Sequence, residues 1–579
     1  MERTVQIIEE KPQREVRFHL DSIHQTSVAV FVSGWFVTDE KVEALRWYSN
    51  DVELAQHTKF VSRLDVVEEL NLDENNYCSG FITVIDRRGG DLNDLSLMLH
   101  DQKLPLTISN EVYRSKPDDI LNLLGSERTE FLSKVNLFDA TSAKVNTKFY
   151  MDICEVDQNN FVVIEGWVLS DNVTKVCLVN AFGESQDISE ELTRFYRSDV
   201  AEKCSPTEMR IKSGFLTISK LNIINNGVVV KIETLDGNDI IYPVMQSQRE
   251  YSASELLKMQ LKYIDIYDKG FINSGYKKVL NSIATIWNAE DKKKKSNANK
   301  HQTIFGEVNY KPLVSLIIPI YGRYDFIQHQ LLAFSQDHDF KNHEIIYVLD
   351  DPSIEREFMI CAEGVFNTFF VPFSIVYSNV NLGFSGANNL GASFAKGEFV
   401  LALNSDIMPT SEGWVTRLVN TYNEKSDCGI LGACLLYEDD TIQHLGMEFA
   451  KDPYYPNIWM NYHPNKGMPI HLMGDGEVRA VEAVTGACML IKRSLYESVN
   501  GFDEGYAIGD FEDSDLCLKI TSSGKKVYLN PNERLVHLER LSQNLVDSGD
   551  WKFKLTIANG IRQKNKWDRE IVEVKKEYA

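Results

Sequence analysis

Short apolar runs separated by Gly, Asn and Asp dominate the first part of the chain. Typical runs are Gly80–Ile85, Gly214–Ile218 and Val228–Thr234, in which β-branched and aromatic residues prevail. Runs of this length and composition, bounded by turn-forming residues, predict antiparallel strands. Several such strands in succession are typical of a β-sandwich, so we expect the N-terminal part to be built from sandwich domains.

An internal repeat divides this β-rich part in two. The pair Gly34-Trp35 recurs as Gly166-Trp167, and two further markers follow each pair in the same order. These markers, Arg-x-Asp-Val and Ser-Gly-Phe, occur at Arg63–Val66, Arg197–Val200, Ser79–Phe81 and Ser213–Phe215. A period this long indicates two homologous domains rather than a solenoid. We therefore predict two tandem β-sandwich domains, 1–115 and 116–248.

Each marker has a structural and a binding interpretation. Buried Trp is common in sandwiches, so we favour a core position for the Trp of each Gly-Trp pair over an exposed ring that stacks on a sugar. We also favour a structural ion pair within each Arg-x-Asp marker, because a pair present in both copies belongs most simply to the shared fold. The residues concerned are Arg63, Asp65, Arg197 and Asp199.

The pattern changes to helical spacing in 249–311. Apolar residues recur there in two groups, separated near Gly270–Gly275, and predict two helices that form a linker. The groups are Leu256, Leu257, Leu261 and Ile264, then Val279, Leu280, Ile283 and Ile286. The run Lys292–Lys295 has two interpretations: peripheral contact with anionic lipid or a phosphate-bearing acceptor, or a solvated linker. We favour the linker, because this short run has no adjacent membrane anchor.

From residue 312 onward, strands alternate with helices. Val314–Ile320 is a continuous apolar run, as expected for a parallel strand covered on both faces. A helix is predicted around Asp325–Phe334, and three further strands are predicted at Glu344–Leu349, Ile375–Ser378 and Glu398–Leu403. Two of these strands end in acidic tips, Asp350-Asp351 and Asn404-Ser405-Asp406. Ligands of open α/β sheets bind beyond the carboxyl ends of the strands, so we expect one rim that holds a nucleotide and a metal.

Composition narrows the classes of function. The chain has 579 residues and a formal charge of −23, which disfavours nucleic acid as a partner. No window is apolar enough for a membrane helix, and the first residues lack the pattern of a secretory signal. The nine cysteines contain no Cys-x-x-Cys pair, so we expect neither a disulfide framework nor a structural zinc site. A cytoplasmic location, at the inner face of the membrane if the lysine run touches it, is the simplest expectation.

The motifs of 312–545 occur in one order, beginning with the strand end Ile318–Tyr321 and the tip Asp350–Ser353. They continue with Asn381–Gly383, Ala387–Asn389, Gly397–Val400, Asn404–Asp406, Thr485–Met489, Gly501–Glu504, Phe511–Asp513 and Val536-His537. This succession resembles the inverting GT-A glycosyltransferases, and most closely the bacterial rhamnosyl- and galactofuranosyltransferase-like members that build surface polysaccharides. The resemblance implies a GT-A α/β (Rossmann-like) catalytic domain over 312–579 with a C-terminal helical tail.

The same resemblance implies the substrates and a metal. The donor would be a nucleotide-diphosphate sugar of the UDP or dTDP type, and the acceptor a hydroxyl of a glycan or lipid-linked saccharide. A divalent cation, Mg²⁺ or Mn²⁺, would be held by Asp406 and by His537, which matches a downstream family histidine. Asn404 departs from the family, which has an acidic residue there; with Ser405 it would contact the ribose or the metal.

The donor residues implied by the resemblance lie at the strand ends. Asp350 and Asp351 would accept hydrogen bonds from the base or ribose, although Asp also favours a turn before Pro352. The base would be lined by Pro319, Ile320 and Tyr321, with Arg323 near a phosphate and Asn381 and Gly383 in the adjoining loop. For these last two residues an ordinary turn explains the pattern equally well.

The acceptor side is implied by residues further along. Asp513 matches the catalytic base, and Glu512 would orient the acceptor; carboxylates in a first helical turn are otherwise capping devices. Asp515 is expected to cap the helix or face solvent. Gly486 and Ala487 would lie beneath the acceptor, and Trp459 and Tyr462 would either stack on its sugar or pack a lid.

A carbohydrate-binding or scaffold protein with a degenerate transferase domain is the alternative function. Asn404 favours it, whereas Asp406, Glu512, Asp513 and His537 argue against it. A dinucleotide-dependent dehydrogenase is disfavoured, because no Gly-x-Gly-x-x-Gly follows a first strand, and the phosphate-loop motif of ATPases is absent as well. The sequence does not specify an oligomeric state.

Overall fold

The computed structural model divides the chain into two compact units, Met1–Ser252 and Ala253–Ala579, which are described separately below. The predicted boundary at 115/116 and the loop Gly270–Gly275 lie outside the described residues. The described residues are 16–25, 29–49, 52–54, 56–72, 77–86, 95–99, 102–105, 149–169, 173–180, 182–201, 212–225, 227–234, 239–264, 276–307, 311–452, 455, 458–473, 476–538 and 550–578.

The first copy of the repeat is formed by two four-stranded antiparallel sheets, ordered β1-β2-β6-β5 and β4-β3-β7-β8. Its elements are β1 Arg17–Gln25, β2 Ala29–Thr38, β3 Arg46–Ser49, β4 Val52–Glu53, β5 Gln56–Val61, α1 Leu64–Glu69, β6 Tyr77–Asp86, β7 Leu95–Leu99 and β8 Gln102–Pro105. Phe81 of one sheet and Trp47 and Leu97 of the other are fully buried in one shared apolar cluster. The alternation of apolar and polar positions along these strands produces that common core.

The second copy repeats this arrangement with a five-stranded sheet, β13-β14-β10-β9-β17, and a four-stranded sheet, β12-β11-β15-β16. Its elements are β9 Phe149–Val156, β10 Phe161–Val168, β11 Val173–Val179, β12 Ser185–Asp187, β13 Thr193–Phe195, α2 Ser198–Ala201, β14 Gly214–Lys220, β15 Val229–Thr234, β16 Ile240–Pro243 and β17 Met245–Gln246. Val162 and Ile164 of β10 share a core with Val176 and Leu178 of β11.

The three sequence markers of the repeat meet at one place in each copy. Arg63 forms a two-pronged ion pair with Asp65, at 2.9 Å for each prong, and also contacts Asp21 on β1. To reach Asp21 its stem crosses Gly80, where a Cβ atom would lie 2.5 Å from the Arg63 side chain. The glycine of the Ser-Gly-Phe marker is therefore required by the arginine of the preceding marker.

Arg197 makes the same clamp in the second copy. It binds both carboxylate oxygens of Asp199 and reaches Asp152 on β9 at 2.7 Å, passing over Gly214. These hydrogen bonds lower the pKa of Asp199 to about 2. The structural ion pairs predicted from the repeat are thus confirmed. The Trp of the first marker lies in the core in the first copy, whereas Trp167 is only half-buried.

The second unit is organised around one large mixed sheet, ordered β18-β21-β20-β19-β22-β29-β24-β30-β23, with β25 beside β24 and β28 beside β30. Its strands are β18 Lys300–Phe305, β19 Val314–Ile320, β20 Glu344–Leu349, β21 Phe373–Ser378, β22 Phe399–Leu403, β23 Ile407–Pro409, β24 Cys428–Leu436, β25 Ile442–His444, β26 Glu448–Lys451, β27 Trp459–Tyr462, β28 Arg479–Ala480, β29 Cys488–Lys492 and β30 Lys526–His537. Its helices are α3 Ala253–Lys262, α4 Tyr276–Asn297, α5 Phe326–Gln336, α6 Glu355–Phe369, α7 Gly383–Phe394, α8 Trp414–Glu424, α9 Arg493–Ser498, α10 Glu512–Ser522 and α11 Asp550–Tyr578.

Four neighbouring strands of this sheet, β21, β20, β19 and β22, run parallel, as the apolar runs predicted. Strands β19 and β20 have the predicted ends, whereas β21 begins two residues earlier and β22 one residue later than predicted. Large apolar clusters cover both faces, one lined by α5, α6 and α8 and the other by α7 and α10. Burial on both faces explains why the strands read as continuous apolar runs without polar alternation.

The segment predicted as a helical linker lies within the second unit. Its lysine run continues α4 to Asn297 instead of forming a solvated linker, which corrects the interpretation that we favoured. Lys295 pairs with Asp291 and with Glu504, each at 2.8 Å. Strand β18 follows and forms the edge of the large sheet by pairing with β21. In the described part of the chain, no helix combines the length and apolar character needed to cross a membrane.

Candidate active site

The rim at the carboxyl ends of the parallel strands begins with Asp350, directly after β20. Asp350 is buried, and its Oδ1 accepts a hydrogen bond from the backbone N–H of Leu382 at 2.6 Å. Burial raises the pKa of this carboxyl to about 7, because the charged form is poorly solvated there. Asp350 thus links the end of β20 to the loop that precedes α7.

Asp351 has the turn-forming role that was one of its two interpretations. Its Oδ1 accepts from the N–H of Ser353 at 3.0 Å, and its Oδ2 accepts from the N–H of Gly322 at 3.1 Å. The second bond fixes the loop after β19, which carries Tyr321 and Arg323. Tyr321 is 46% exposed, as expected of a ring that faces a ligand from the rim.

Arg323 is held at the rim by neighbours in its own loop. Its guanidinium pairs with Asp325 and lies 4.7 Å from the ring centre of Phe326. The hydrogen bond to Asp325 is the main cause that raises the pKa of Arg323, and the charge of Asp406 adds to it. The side chain of Arg323 therefore interacts electrostatically with Asp406, in the second acidic tip. Pro319 and Ile320 lie in β19, with Ile320 fully buried.

Asn381 and Gly383 form a turn. The Oδ1 of Asn381 accepts from the N–H of Gly383 at 2.9 Å, and Gly383 has a positive φ of 74°. A side chain at this position would strain the backbone, which explains the glycine. The turn starts α7 and places its first residues beside the rim.

The second acidic tip contains Asn404, Asp406 and His537. His537 is the last residue of β30, and the pairing of β30 with β23 sets it opposite Ile407. Its Nε2 lies 3.1 Å from Asp406 Oδ1 and 3.4 Å from Asn404 Nδ2. The three residues singled out by the sequence for the metal are thus brought together, with Ser405 between two of them in the chain.

The protonation of His537 is set from its other side. Its Nδ1 lies 2.6 Å from Gln443 Oε1 on β25. Because an amide oxygen only accepts, Nδ1 carries a proton, and in the neutral ring Nε2 presents a lone pair to Asp406. A lone pair and a carboxylate oxygen at this distance repel each other unless a proton or a cation lies between them. The donor set therefore fits a divalent cation.

Few protein ligands are available for that cation. Among the described residues, no group of three or more His, Cys, Asp or Glu side chains is arranged to hold a metal. Asp406 and His537 offer one oxygen and one nitrogen ligand, with the amide of Asn404 nearby. Mg²⁺ and related ions commonly take one or two protein ligands and complete their shell with substrate phosphates and water. Gln443 is a supporting residue that the sequence reasoning missed.

The dipeptide Gly486-Ala487 joins the metal tip to the carboxylates of α10. The carbonyl of Ala487 accepts from the N–H of Asn404 at 2.9 Å. The N–H of Gly486 points the other way and donates to Asp513 Oδ2 at 3.3 Å. One peptide segment thus fixes the spacing between Asp406 and Asp513.

The chain enters α10 through a strained turn. Ile508, Asp510 and Phe511 all have positive φ, at 65°, 71° and 73°. Each such non-Gly residue costs on the order of 1–2 kcal/mol, and strain of this kind tends to be retained at functional sites. The turn brings Glu512 and Asp513 to the start of α10, where the side chain of Asp513 faces Gly486.

Glu512 and Asp513 have the electrostatics of a proton-transfer site. Burial raises the pKa of both carboxyls above their ordinary values, and the charge of Asp513 raises that of Glu512 further. Glu512 Oε2 is buried without a hydrogen-bond partner. Asp513 Oδ1 accepts from the N–H of Ser514 at 2.7 Å. No described cation forms an ion pair with either carboxylate, so both remain available to a substrate hydroxyl.

Asp515 differs from the expectation that it caps the helix or faces solvent. It is fully buried, and its Oδ1 accepts from Lys566 and Trp567, each at 2.6 Å, and from Tyr506 at 3.0 Å. The sequence reasoning found no motif in the tail that supplies Lys566 and Trp567. Tertiary packing of α11 against α10 creates this ion pair.

The tail helix α11 supports the entry to α10 as well. Asn559 donates to the carbonyls of Ala507 and Gly509, at 3.1 and 2.6 Å, within the strained turn. Gln563 Oε1 accepts from Ser514 at 2.6 Å. Both amides are buried, and they lie four residues apart on the apolar face of α11. Amides at helical spacing within an apolar face were the signal that would have revealed them.

Trp459 is placed by the same helix. It is 6% exposed, and its indole N–H donates to Asp568 at 2.8 Å. Packing, one of its two interpretations, accounts for this position, and little of the ring is free for a sugar. Tyr462, at the other end of β27, is 57% exposed and retains a free face.

Comparison with known proteins agrees with this geometry. Residues 315–498 match the family model described as glycosyl transferase family 2. The chain is 24% identical over 247 residues to the O-antigen biosynthesis protein RfbC of Myxococcus xanthus, covering 40% of this chain but 18% of that protein. It is 24% identical over 236 residues to the rhamnosyltransferase WbbL of Escherichia coli, covering 39% of this chain and 83% of that protein.

Among solved structures, GalNAc-T7 with UDP, GalNAc and Mn²⁺ is similar with a TM-score of 0.35 and 17% identity, over 45% of this chain and 49% of that one. The family match covers the parallel strands, the first acidic tip and the tip that ends in Asp406. The part of the second unit that contains the parallel strands and both acidic tips is thus similar to glycosyl transferase family 2.

Proposed function

We propose that this protein transfers a sugar from a nucleotide-diphosphate donor to a hydroxyl of a glycan or lipid-linked saccharide, with inversion at the anomeric carbon. The observation that carries the proposal is the Gly486-Ala487 segment, which contacts Asn404 on one side and Asp513 on the other. It sets a leaving-group site and a proton acceptor on either side of one small space, as a direct displacement requires.

The donor occupies the rim formed by the strand ends. Its base and ribose lie against Tyr321 and the acidic tip at Asp350, and Arg323 approaches the diphosphate. Asp406 and His537 would hold a divalent cation, Mg²⁺ or Mn²⁺, which would neutralise the charge of the diphosphate when bound. Asn404 keeps its amide next to His537 and orients that ring instead of adding a negative charge.

The acceptor hydroxyl lies between the anomeric carbon and Asp513. Asp513 takes the proton as the new glycosidic bond forms, and burial raises its pKa toward the range where it exchanges protons efficiently. Glu512, whose pKa is raised further by the neighbouring charge, stays protonated and donates a hydrogen bond to the acceptor. Tyr462 offers an exposed ring for an acceptor sugar.

The curated relatives support the substrate class. One is named for O-antigen biosynthesis and one as a rhamnosyltransferase, so we infer a bacterial surface polysaccharide or its lipid-linked precursor as the acceptor. We also infer a donor of the UDP or dTDP type. We further infer that 1–115 and 116–248 are tandem β-sandwich modules attached to the catalytic unit.

A donor panel tests this function. The full chain, with Mn²⁺ or Mg²⁺, should bind one nucleotide sugar from a set of UDP- and dTDP-sugars in a thermal-shift assay and release the nucleoside diphosphate when acceptor is added. Asp406→Asn should weaken metal-dependent donor binding at least tenfold, because it removes the acidic ligand. Asp439→Asn, an exposed turn carboxylate, is the matched control and should leave binding unchanged. A wild type that binds no member of the panel would favour the scaffold alternative.

A further inference from the structure

A lysine-lined cleft lies in the second unit, away from the acidic rim. Its volume is about 440 Å³. Three cations and several neutral polar groups line it, and no carboxylate of the described residues does; those used below are Lys425, Lys492, Lys525, Asn423, Ser426 and Ser494. In a chain with a formal charge of −23, such a lining is a local exception.

The sheet topology brings these lysines together. Lys492 ends β29, Lys525 directly precedes β30, and Lys425 directly follows α8. Since β24 lies between β29 and β30, the three segments meet at one edge of the sheet. The rim lies at the other end of β22, roughly 16 Å away at about 3.3 Å per strand residue. The cleft is therefore separate from the donor site.

The lysines are positioned rather than free in solvent. Lys425 Nζ lies 5.8 Å from the ring centre of Tyr528, and Lys492 Nζ lies 5.7 Å from that of Phe399. Lys525 Nζ donates to the carbonyl of Ser426 at 3.2 Å. All three side chains are half-buried, so their stems are packed while their charged ends line the cleft.

Charge balance indicates an anionic ligand. Lys492 has Glu398 at 3.8 Å, and the charge of Lys525 reaches the carboxylate of Asp427, but within the described part of the chain neither Lys425 nor Lys525 forms an ion pair. Gathering like charges in a cleft is unfavourable without a counter-charge. Lysine is a common point-charge partner of phosphate, and the neutral side chains of Asn423 and Ser494 add hydrogen-bond donors.

We propose that this cleft binds a phosphate-bearing ligand, either a soluble phosphate ester or the phosphate headgroup of an acidic lipid. The concave shape and the volume suit one small phosphorylated molecule. The proposal goes beyond the transferase function and does not depend on it, because the cleft shares no residue with the rim.

The test uses the full chain with EDTA, so that diphosphate is not recruited through a metal at the rim. Isothermal titration with pyrophosphate and with a hexose bisphosphate should show binding by the wild type. The double variant K425Q/K525Q should weaken it at least tenfold. K552Q/K564Q removes the same charge from α11, away from the end of the helix where Glu577 contacts Lys526, and should bind like the wild type. Both variants should unfold at the wild-type temperature when no ligand is added.

Lipid is the second arm of the experiment. Flotation with vesicles of phosphatidylcholine and phosphatidylglycerol at 70:30 should show retention that K425Q/K525Q loses and K552Q/K564Q keeps, if the phosphate source is a membrane. Binding in only one arm, lost only in the cleft variant, supports the site and identifies the source. Equal loss in both variants, or no binding in either arm, overturns the proposal without affecting the donor panel.

Discussion

Aspartates of the N-terminal repeats and aspartates of the catalytic unit are placed in opposite electrostatic surroundings. In the second repeat Asp199 binds both prongs of Arg197, and its pKa falls to about 2. At the rim Asp350 is buried without an ion pair, and its pKa rises to about 7. A carboxylate that already has its cation contributes stability, whereas one that lacks it is held ready for a ligand or a proton.

The same contrast recurs within one turn of α10. Asp513 faces Gly486 with a raised pKa, while Asp515, two residues on, is fully buried against Lys566 and Trp567. The two residues are indistinguishable in type and nearly so in position. The partner that the tertiary fold brings to each carboxylate decides whether it is neutralised by a cation or left open to a substrate.

The largest expected effect comes from removing the carboxylate of Asp513, which forms no ion pair with a described cation. Asp513→Asn should lower kcat by about 1000-fold, because the amide cannot accept the proton of the acceptor hydroxyl. Donor affinity, measured by thermal shift with Mn²⁺, should stay within about twofold of the wild type, since the metal tip is untouched. An Asp513→Asn enzyme with wild-type turnover would remove Asp513 from the role of base.

The second largest effect is expected at Asp515, whose carboxylate is paired with Lys566. Asp515→Asn should lower the free energy of unfolding by about 2–3 kcal/mol, because Lys519 loses its buried counter-charge and Lys566 retains only Asp503. Urea denaturation followed by circular dichroism measures the change. At low temperature, where the variant is folded, kcat should fall far less than in Asp513→Asn. A loss of kcat as large as that of Asp513→Asn would indicate that Asp515 takes part in the reaction.

A smaller effect is expected in the repeats. Arg197→Met keeps the stem over Gly214 but removes the clamp, and should destabilise the second repeat by about 1 kcal/mol, since the carboxylates are partly exposed. Hydrogen exchange in β10 and β14 should quicken accordingly at neutral pH. Because the pKa of Asp199 is lowered in the fold, this stabilisation is present above about pH 4 and is lost as the pH falls toward 2. Arg63→Met is the twin variant for the first repeat; a pH-independent effect in both would refute the electrostatic account.

The smallest effect concerns Asp350. Its pKa is raised in the fold, so its charged form opposes folding, and the penalty grows as the pH rises from about 4 through 7. Asp350→Asn retains an acceptor for the N–H of Leu382 and should raise the free energy of unfolding at pH 8, because it removes the buried charge. The difference should vanish near pH 4. A stabilisation that is equal at both pH values would mean that charge is not its cause.

Many features of the fold could be predicted from the sequence. Continuous apolar runs identified the four parallel strands, because strands buried on both faces need apolar side chains throughout. The markers of the repeat identified two related copies and their ion pairs. Asp406, His537 and Asp513 were found through the order of family motifs, and the structure brings the first two together.

Other features were hidden because their cause is not local. The lysine run of α4 looked like a linker, since its partner Glu504 lies more than two hundred residues along the chain. From the sequence, Asp515 was predicted to cap the helix or face solvent, and no motif was found in the tail. Lys566 and Trp567 contact Asp515 only because α11 packs on α10. Gln443 gave no signal by itself, as a single amide has no periodicity.

The sequence by itself determined the order of elements, the parallel core of the large sheet and the residue types available at each strand end, because burial and turn chemistry act over a few residues. Only the tertiary structure decided which carboxylates are neutralised and which are exposed to chemistry. The pKa of a carboxyl depends on its burial and on charges within a few ångströms. In this protein the partners of a carboxylate come from segments that are distant in sequence, such as α11, which brings Lys566 to Asp515, and β30, which brings His537 to Asp406.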